Sequence, residues 1–246
     1  RDLQWGSFTE RGPWELDPQS IRWLGSTQAL RSQANAEVPV LTTPRRLPPG
    51  GRVIIVTINI IKALAPWFIK KKRNKYVDRS ASQADVSLRL RKAVETLGPT
   101  YIKLGQIISS GEGLIPPELV EQFKKCRDQV PAEPFSTVRQ TVEQDLGARL
   151  EDVFEWFDEK ELAAASIAQV HAARLLTGED VVVKVQRPRV ASLVRKDLTV
   201  MAWIAPYLVG RIPISALANP PALVELFAET IVEELDFRLE ASNMLD

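Results

Sequence analysis

The sequence predicts an α+β fold, in which helices precede and follow a small antiparallel sheet. Changes in hydrophobic periodicity indicate this order. Apolar residues recur at helical spacing over residues 84–150, follow strand-like patterns over residues 151–187, and return to helical spacing from residue 190. Strands that follow one another through short turns, without helices between them, favour α+β over a parallel α/β sheet.

Composition narrows the class of protein. The 246 residues are 45% apolar, which is enough for a substantial core. The 32 basic and 31 acidic residues nearly cancel, so net charge gives no argument for nucleic acid, and none is expected as a partner. The single cysteine, Cys126, excludes an intramolecular disulfide framework and fits a reducing compartment. Its helical surroundings predict a buried, unreactive thiol.

The first 50 residues are rich in proline, glycine and polar residues, with scattered tryptophans at Trp5, Trp14 and Trp23. They are expected to form a poorly ordered tail that ends in the linker "TTPRRLPPGG". No secretory signal peptide is visible in residues 1–50, because they lack its apolar segment. Since the chain starts with Arg1 and stops at Asp246 inside a helical pattern, we expect a fragment of a longer protein.

Residues 51–75 combine an apolar stretch with a basic end. The apolar stretch runs from Val53 to Ile69, is interrupted by polar residues and proline, and is short of the about 20 residues that span a bilayer. The cluster "KKKRNK" follows it and resembles the basic flank of a membrane-surface helix. Three interpretations stay open: a helix at the membrane surface, an ordinary packed helix, and a spanning helix.

Residues 84–150 are predicted to be an all-helical block. A stripe of apolar residues ends at Gly98, a natural helix C-cap, and Pro99 is placed to begin the next helix. Two further helical patterns, "IPPELVEQFKKCRDQV" and "PFSTVRQTVEQDLG", start with proline or Ser/Thr signals.

Residues 151–187 contain three predicted strands, "EDVFEWF", "SIAQVHAARLL" and "DVVVKVQR", the last two joined by a hairpin turn at Gly178. Strand alternation places Lys184 on one face with Val182 and Gln186. A lysine buried in such an apolar strand needs a partner or a polar cavity, because an unpaired buried ammonium is very costly. The alternative is an edge-strand lysine whose head reaches solvent.

Four stretches in this order, "YIKLGQ", "ELAAASIAQVH", "VVVKVQRP" and "EELDFRLEASN", resemble the UbiB/AarF-type atypical kinase-like family, whose eukaryotic members support coenzyme Q synthesis. The resemblance covers about residues 84–246. It implies a protein-kinase-like N-lobe over residues 151–246, preceded by a helical extension over residues 84–150. The family's C-terminal lobe, with its catalytic aspartate, asparagine and DFG elements, is expected to be absent from this chain.

The resemblance also implies roles for individual residues. Lys103 and Gln106 belong to the family's KxGQ motif, which folds over the nucleotide pocket. Lys184 is the phosphate-contacting lysine, and Glu240 looks like its helix glutamate. An alanine-rich loop replaces the glycine-rich loop of kinases and shifts nucleotide preference; it consists of Ala163, Ala164, Ala165 and Ser166. An ExD motif, formed by Glu234 and Asp236, meets the KxGQ element.

Helical geometry adds that Asp236 and Glu240 share a face, whereas Glu234 lies on another. Asp236-Phe237 is not a metal-binding DFG, because Arg238 follows. His171 is the only histidine, so it cannot build a His-based metal cluster or a Ser-His-Asp triad, and a structural, hydrogen-bonded role is predicted. No metal-ligating residue is assigned within this chain.

The expected parent is an ATP-binding unorthodox kinase or ATPase at the cytoplasmic face of a membrane (bacterial inner membrane, or organellar if eukaryotic), linked to isoprenoid-quinone metabolism. ATP or ADP with Mg is the expected cofactor, and a lipid surface and quinone-pathway proteins are the further partners. These 246 residues alone are expected to bind nucleotide weakly or not at all, and to catalyse nothing. Two alternatives remain: a nucleotide-gated pseudokinase or regulator, and a membrane-tethered interaction module without catalysis.

Overall fold

The computed structural model describes residues 26–110, 116–126, 131–209 and 219–245. The three tryptophans of the predicted tail lie outside these residues. Within them the chain forms ten helices and a three-stranded sheet, in this order: α1 (Thr27–Thr42), α2 (Arg52–Lys72), α3 (Arg79–Leu97), α4 (Pro99–Ser109), α5 (Pro117–Phe123), α6 (Phe135–Leu146), α7 (Leu150–Val153), β1 (Phe154–Ala164), β2 (Ala168–Leu175), β3 (Asp180–Gln186), α8 (Val190–Leu208), α9 (Pro220–Glu234) and α10 (Phe237–Leu245). The predicted α+β class is confirmed.

The chain divides into two compact units. The first, called the sheet unit below, consists of the described parts of Arg1–Gln33, Gln129–Val190 and Glu233–Asp246. The second, called the helical unit, consists of the described parts of Ala34–Asp128 and Ala191–Val232.

The sheet is antiparallel, with strand order β1-β2-β3. The β2–β3 pairing is regular and sets Lys184 opposite Val170. Gly178 makes the turn between these strands with φ 102°, a backbone conformation that glycine adopts without steric cost. The predicted hairpin is therefore confirmed. The β1–β2 pairing contains register shifts, one of them between Phe157 and Glu161.

Helix α6 covers one face of the sheet. Val138 and Val142, one helical turn apart, pack with Leu150 of α7 and with one residue from each strand. Those strand residues are Phe154, Ala173 and Val185. The odd-numbered valines of β3 face this core, as strand alternation predicts, so Lys184 lies on the opposite, solvent-accessible face.

The helical unit places α4 directly after α3. Gly98 ends α3 with φ 102° and Pro99 begins α4, which confirms both predicted signals. Gly105 in α4 packs closely, because a Cβ added there would lie 3.5 Å from Val94 and 3.6 Å from Cys126. Cys126 is buried as predicted, and burial raises the pKa of its thiol to about 11.

Three parts of the chain differ from the sequence-based predictions. Residues 27–42, within the predicted poorly ordered tail, form α1, whose sequence contains good helix formers such as alanine, leucine and glutamine. Residues 150–153 form the short helix α7 before the first strand begins at Phe154. The predicted continuous helix through "EELDFRLE" is interrupted between Glu234 and Phe237, and Asp236 lies in the break.

Candidate functional site

The sheet unit brings Lys184 and Glu240 together. The Lys184 Nζ atom lies 2.5 Å from Glu240 Oε1 and 2.6 Å from Oε2, so the carboxylate accepts in a bidentate fashion. The Phe237 ring centroid lies 4.7 Å from the same Nζ atom, within the range of a cation–π contact. The two charged side chains remain 39% and 34% exposed. Lys184 therefore has the partner that a lysine in this strand needs, and its head also reaches solvent, as in the edge-strand alternative, because β3 presents this face to solvent.

The break between α9 and α10 places Glu240. Gln186, which shares a β3 face with Lys184, donates from Nε2 to the Leu235 carbonyl oxygen at 2.8 Å. This hydrogen bond satisfies a carbonyl that the interrupted helix would otherwise leave open. Helical spacing predicts that Asp236 and Glu240 lie on one face of a continuous helix. That prediction is wrong, because the helix is broken before Phe237 and only Glu240 lies within α10.

Asp236 lies directly before Phe237, the first residue of α10, instead of within a helix. Its Oδ1 atom accepts from the Arg238 backbone N–H at 3.0 Å, and its two oxygens accept from the Arg238 guanidinium at 2.8 and 2.6 Å. The bonds from Arg238 hold the pKa of the Asp236 carboxyl below its usual range. Aspartate is a favoured residue at a helix start, which explains the break. Glu234 is the last residue of α9.

The alanine-rich segment is shorter as a loop than predicted. Ala163 and Ala164 belong to β1, where they pair with Val170 and Gln169. The turn itself comprises residues 165–167 and is closed by the Ala165 N–H, which donates to the Ala168 carbonyl oxygen at 2.8 Å. Ser166 is buried. Alanine continues the strand because, unlike glycine, it carries no added conformational entropy cost there.

His171 has the structural environment that the sequence predicts. It is fully buried in β2, its Nε2 atom lies 2.8 Å from Gln169 Nε2, and its Nδ1 atom lies 2.8 Å from the Asp158 carbonyl oxygen. Among the described residues, no group of three or more His, Cys, Asp or Glu side chains could hold a metal ion.

The KxGQ residues lie in the helical unit. Lys103 and Gln106 are half-buried and one turn apart on α4. The first turn of α4 is held by a buried carboxylate that sequence reasoning missed. Asp197 of α8 accepts from Thr100 Oγ1 at 2.8 Å and from Arg52 Nε at 2.6 Å, and Arg52 also donates to the Leu97 carbonyl oxygen at 2.7 Å. Burial raises the pKa of the Asp197 carboxyl.

Helix α2 has an exposed apolar stripe. It is the one helix among the described residues that is long and apolar enough to cross a membrane, by length and composition. One face carries Val53 and Val56, which are buried. Five large apolar side chains, each at least 45% exposed, fall within an arc of about 100° on another face. They are Ile54, Ile58, Ile61, Phe68 and Ile69.

Residues 125–246 match the ABC1 atypical kinase-like domain. A protein named "Probable protein kinase UbiB" from Pseudomonas aeruginosa is 39% identical over 191 residues, which are 76% of this chain and 34% of the relative. One of the same name from Aeromonas salmonicida is 37% identical over 183 residues, 73% of this chain and 34% of the relative.

A third relative comes from Arabidopsis thaliana and is named an uncharacterised aarF domain-containing protein kinase, chloroplastic. It is 41% identical over 163 residues, which are 64% of this chain and 29% of that protein. The chain spans about a third of the length of these curated relatives.

Proposed function

Because this chain belongs to the UbiB/AarF-type family of atypical kinase-like proteins, we propose that it contributes the phosphate-facing wall of a nucleotide site in an unorthodox kinase or ATPase. The observation that carries the proposal is the accessible, bidentate pair of Lys184 and Glu240. A lysine on the third strand that pairs with a helix glutamate is the arrangement by which kinase-like folds hold nucleotide phosphates.

The residues present fit ATP or ADP. The Lys184 ammonium is a point charge that can bind phosphate oxygens, and Glu240 keeps it on the open side of β3. The alanine-rich turn lies at the β1–β2 end of the same sheet, where a kinase carries its glycine-rich loop. Mg would neutralise phosphate charge in the bound nucleotide. We assign no residue of this chain as its ligand.

The test is nucleotide affinity in the whole protein as its gene encodes it. Charge-assisted hydrogen bonds contribute about 1.5–3 kcal/mol, so Lys184→Met should weaken ATP and ADP binding at least about tenfold. Lys160→Met is the matched control, because Lys160 is an exposed lysine of β1 in the same unit. Equal affinities for the two variants, measured by calorimetry with Mg present, would contradict the proposal.

We also propose that the exposed stripe of α2 meets a lipid surface. An apolar stripe next to the basic residues Lys70, Lys71 and Lys72 is the pattern of a helix that lies in the membrane interface. Replacing Ile54, Ile58 and Phe68 together by serine should abolish flotation with vesicles containing phosphatidylglycerol. Val77→Ser is the control, since Val77 is 97% exposed and lies outside the stripe. Unchanged flotation of the triple variant would refute this assignment.

A link to isoprenoid-quinone metabolism is the finest part of the proposal and rests on family membership alone. If it holds, cells whose only copy of the protein carries Lys184→Met should contain less isoprenoid quinone than cells with the Lys160→Met control. Equal quinone content, with both variants present at equal levels, would contradict the quinone link but not the proposed nucleotide binding.

A further inference from the structure

Arg187 lies immediately after β3, three residues beyond Lys184, within the stretch "VVVKVQRP", but the resemblance assigns it no role. It is buried, with 7% of its surface exposed. Its backbone N–H donates to the Ile167 carbonyl oxygen at 2.9 Å, and its side-chain Nε donates to the Ala165 carbonyl oxygen at 3.1 Å. One residue therefore holds both ends of the alanine-rich turn.

The same guanidinium reaches a second segment. Its Nη1 atom donates to the Pro131 carbonyl oxygen at 2.9 Å and to Glu133 Oε1 at 3.2 Å. A planar guanidinium has five N–H donors in a fixed arrangement, so it can bond several acceptors at once where an ammonium cannot match the geometry. Arg187 thus ties the turn to the segment that leads into α6.

This segment is itself held by the sheet. The Glu133 N–H donates to Gln169 Oε1 at 2.8 Å. The amide oxygen of Gln169 is therefore an acceptor, its Nε2 donates to His171 Nε2, and His171 donates from Nδ1 to the Asp158 carbonyl oxygen. These bonds run from Glu133 through Gln169 and His171 of β2 to Asp158 of β1, so Arg187 anchors the turn to a buried polar network.

Peptide geometry gives this anchoring a direction. In a planar trans peptide the C=O and the following N–H point to opposite sides. Because the Ala165 carbonyl faces Arg187, the Ser166 N–H is directed away from Arg187. In kinase-like sites the backbone amides of this turn approach the phosphates, so the orientation of its peptides affects nucleotide binding. Alanine disfavours positive φ, which further restricts how the turn can reorient.

We propose that Arg187 is a positioning residue: it fixes the backbone of the alanine-rich turn and so sets the affinity of the site for ATP and ADP and the preference between them. This rests on the proposed nucleotide-binding function. It assigns the orientation of the turn's backbone to a buried arginine that has no role among the residues already placed in the site.

The experiment uses the whole protein as its gene encodes it and compares Arg187→Leu, Arg187→Lys and Glu133→Gln with an Arg174→Leu control. Arg174 also belongs to the sheet and pairs with Asp180 at 2.7 Å, but its partner lies at the opposite end of β3 from Arg187. Glu133→Gln removes one charged acceptor whose side chain is 35% exposed, and therefore serves if Arg187→Leu does not fold.

Two measurements are made on each variant: amide hydrogen exchange of residues 163–168, and the dissociation constants of ATP and ADP with Mg. For Arg187→Leu, exchange at the turn should rise about tenfold or more because a local constraint on opening is lost. The ATP and ADP affinities should change by different factors, with at least one falling about tenfold. Arg187→Lys should lie between Arg187→Leu and the unsubstituted protein, and Arg174→Leu should match the latter.

Unchanged exchange at the turn in the folded Arg187 variants would overturn the proposal. So would faster exchange accompanied by an unaltered ratio of ATP to ADP affinity, since a merely structural role predicts that result. Failure of the unsubstituted protein to bind either nucleotide would refute the proposed function and the nucleotide part of this inference. The exchange data would then still report whether Arg187 fixes the turn, so the two failures can be told apart.

Discussion

The sheet unit and the helical unit each contain a pair of oppositely charged side chains with nearly the same bond length and a different environment. Lys184 and Glu240 approach to 2.5 Å with more than a third of each side chain exposed. Arg52 and Asp197 approach to 2.6 Å with exposures of 15% and 0%. The first pair joins a strand to a helix, and the second joins the start of α2 to α8.

Exposure decides what each pair can do. An exposed pair contributes about 0.2–1 kcal/mol, so little of the fold's stability depends on it and Lys184 stays accessible beside Glu240. Breaking a buried pair leaves an uncompensated charge and costs about 3–5 kcal/mol. Asp197 also accepts from Thr100 Oγ1, and Arg52 also donates to the Leu97 carbonyl oxygen. This pair therefore holds four helices in place, α2, α3, α4 and α8. Bond length alone does not distinguish an adaptable site from a structural one.

The largest effect should come from Asp197→Ala. The free energy of unfolding should fall by about 3–5 kcal/mol, because Arg52 and Thr100 lose their shared acceptor inside the helical unit. Urea denaturation measures the change. Asp78→Ala is a control: it removes a carboxylate that caps α3 from an exposed position and should cost only about 0.5–2 kcal/mol. Equal losses for the two variants would contradict the prediction that breaking a buried pair costs more than removing an exposed capping carboxylate.

The next effect is the coupling between Lys184 and Glu240. A double-mutant cycle of Lys184→Met and Glu240→Gln should give a coupling free energy of at most about 1 kcal/mol without nucleotide, since both side chains are partly exposed. Each unfolding free energy is measured by urea denaturation. A coupling near the value of a buried pair would mean that the pair serves stability, and the proposed phosphate-binding role of Lys184 would lose the accessibility on which it depends.

Gly105→Ala tests packing within the KxGQ motif. The added Cβ would meet its nearest neighbours at 3.5–3.6 Å, which is ordinary contact. Alanine favours a helix by about 1 kcal/mol over glycine, so thermal unfolding should show unchanged or slightly raised stability. A clear loss of stability would indicate that α4 has no room for a methyl group. Gly105→Leu, which adds a branched chain against Phe123 and Cys126, should destabilise and is the contrast variant.

The smallest effect is the pH dependence of Asp236. The bonds from Arg238 hold its pKa in the folded protein below the usual 3.8, so the carboxylate stabilises the fold above about pH 4 and loses this contribution as pH falls through the folded-state pKa. Asn also caps helices but cannot form the ion pair, so Asp236→Asn should cost about 0.5 kcal/mol at pH 7. The difference should vanish once the pH is below the folded-state pKa of Asp236. If the stability difference between Asp236→Asn and the unsubstituted protein grew as the pH fell, the predicted sign of the pH dependence would be wrong.

Local signals were sufficient for much of the fold. Gly98 and Pro99 defined the α3–α4 junction, Gly178 defined the hairpin, and alternation along β3 gave the correct face for Lys184. These features depend on backbone sterics and on periodicity within a few residues. The family motifs similarly predicted which glutamate would meet Lys184, although 56 residues separate them.

The remaining features depend on contacts between distant segments. Arg52 and Asp197 are 145 residues apart, and nothing local indicates their pairing. One signal was available: Asp197 occupies the same helical face as Val194 and Met201, where a carboxylate needs a buried partner. The helix break at Asp236 was missed because the charged run "EELDFRLE" is also a good helix sequence. Nothing local indicates that Arg187 is buried, because a basic residue at a strand end usually reaches solvent.

The helix break before α10 restricts which insertions and deletions this chain can accept. Since Asp236 starts a new helix, the orientation of Glu240 is counted from Asp236 and does not depend on the length of α9. One residue added between Asp236 and Glu240 would turn Glu240 by about 100° about the helix axis and move it away from Lys184. The three residues between Asp236 and Glu240 are therefore fixed in number, whereas insertions and deletions are tolerated in segments before the break.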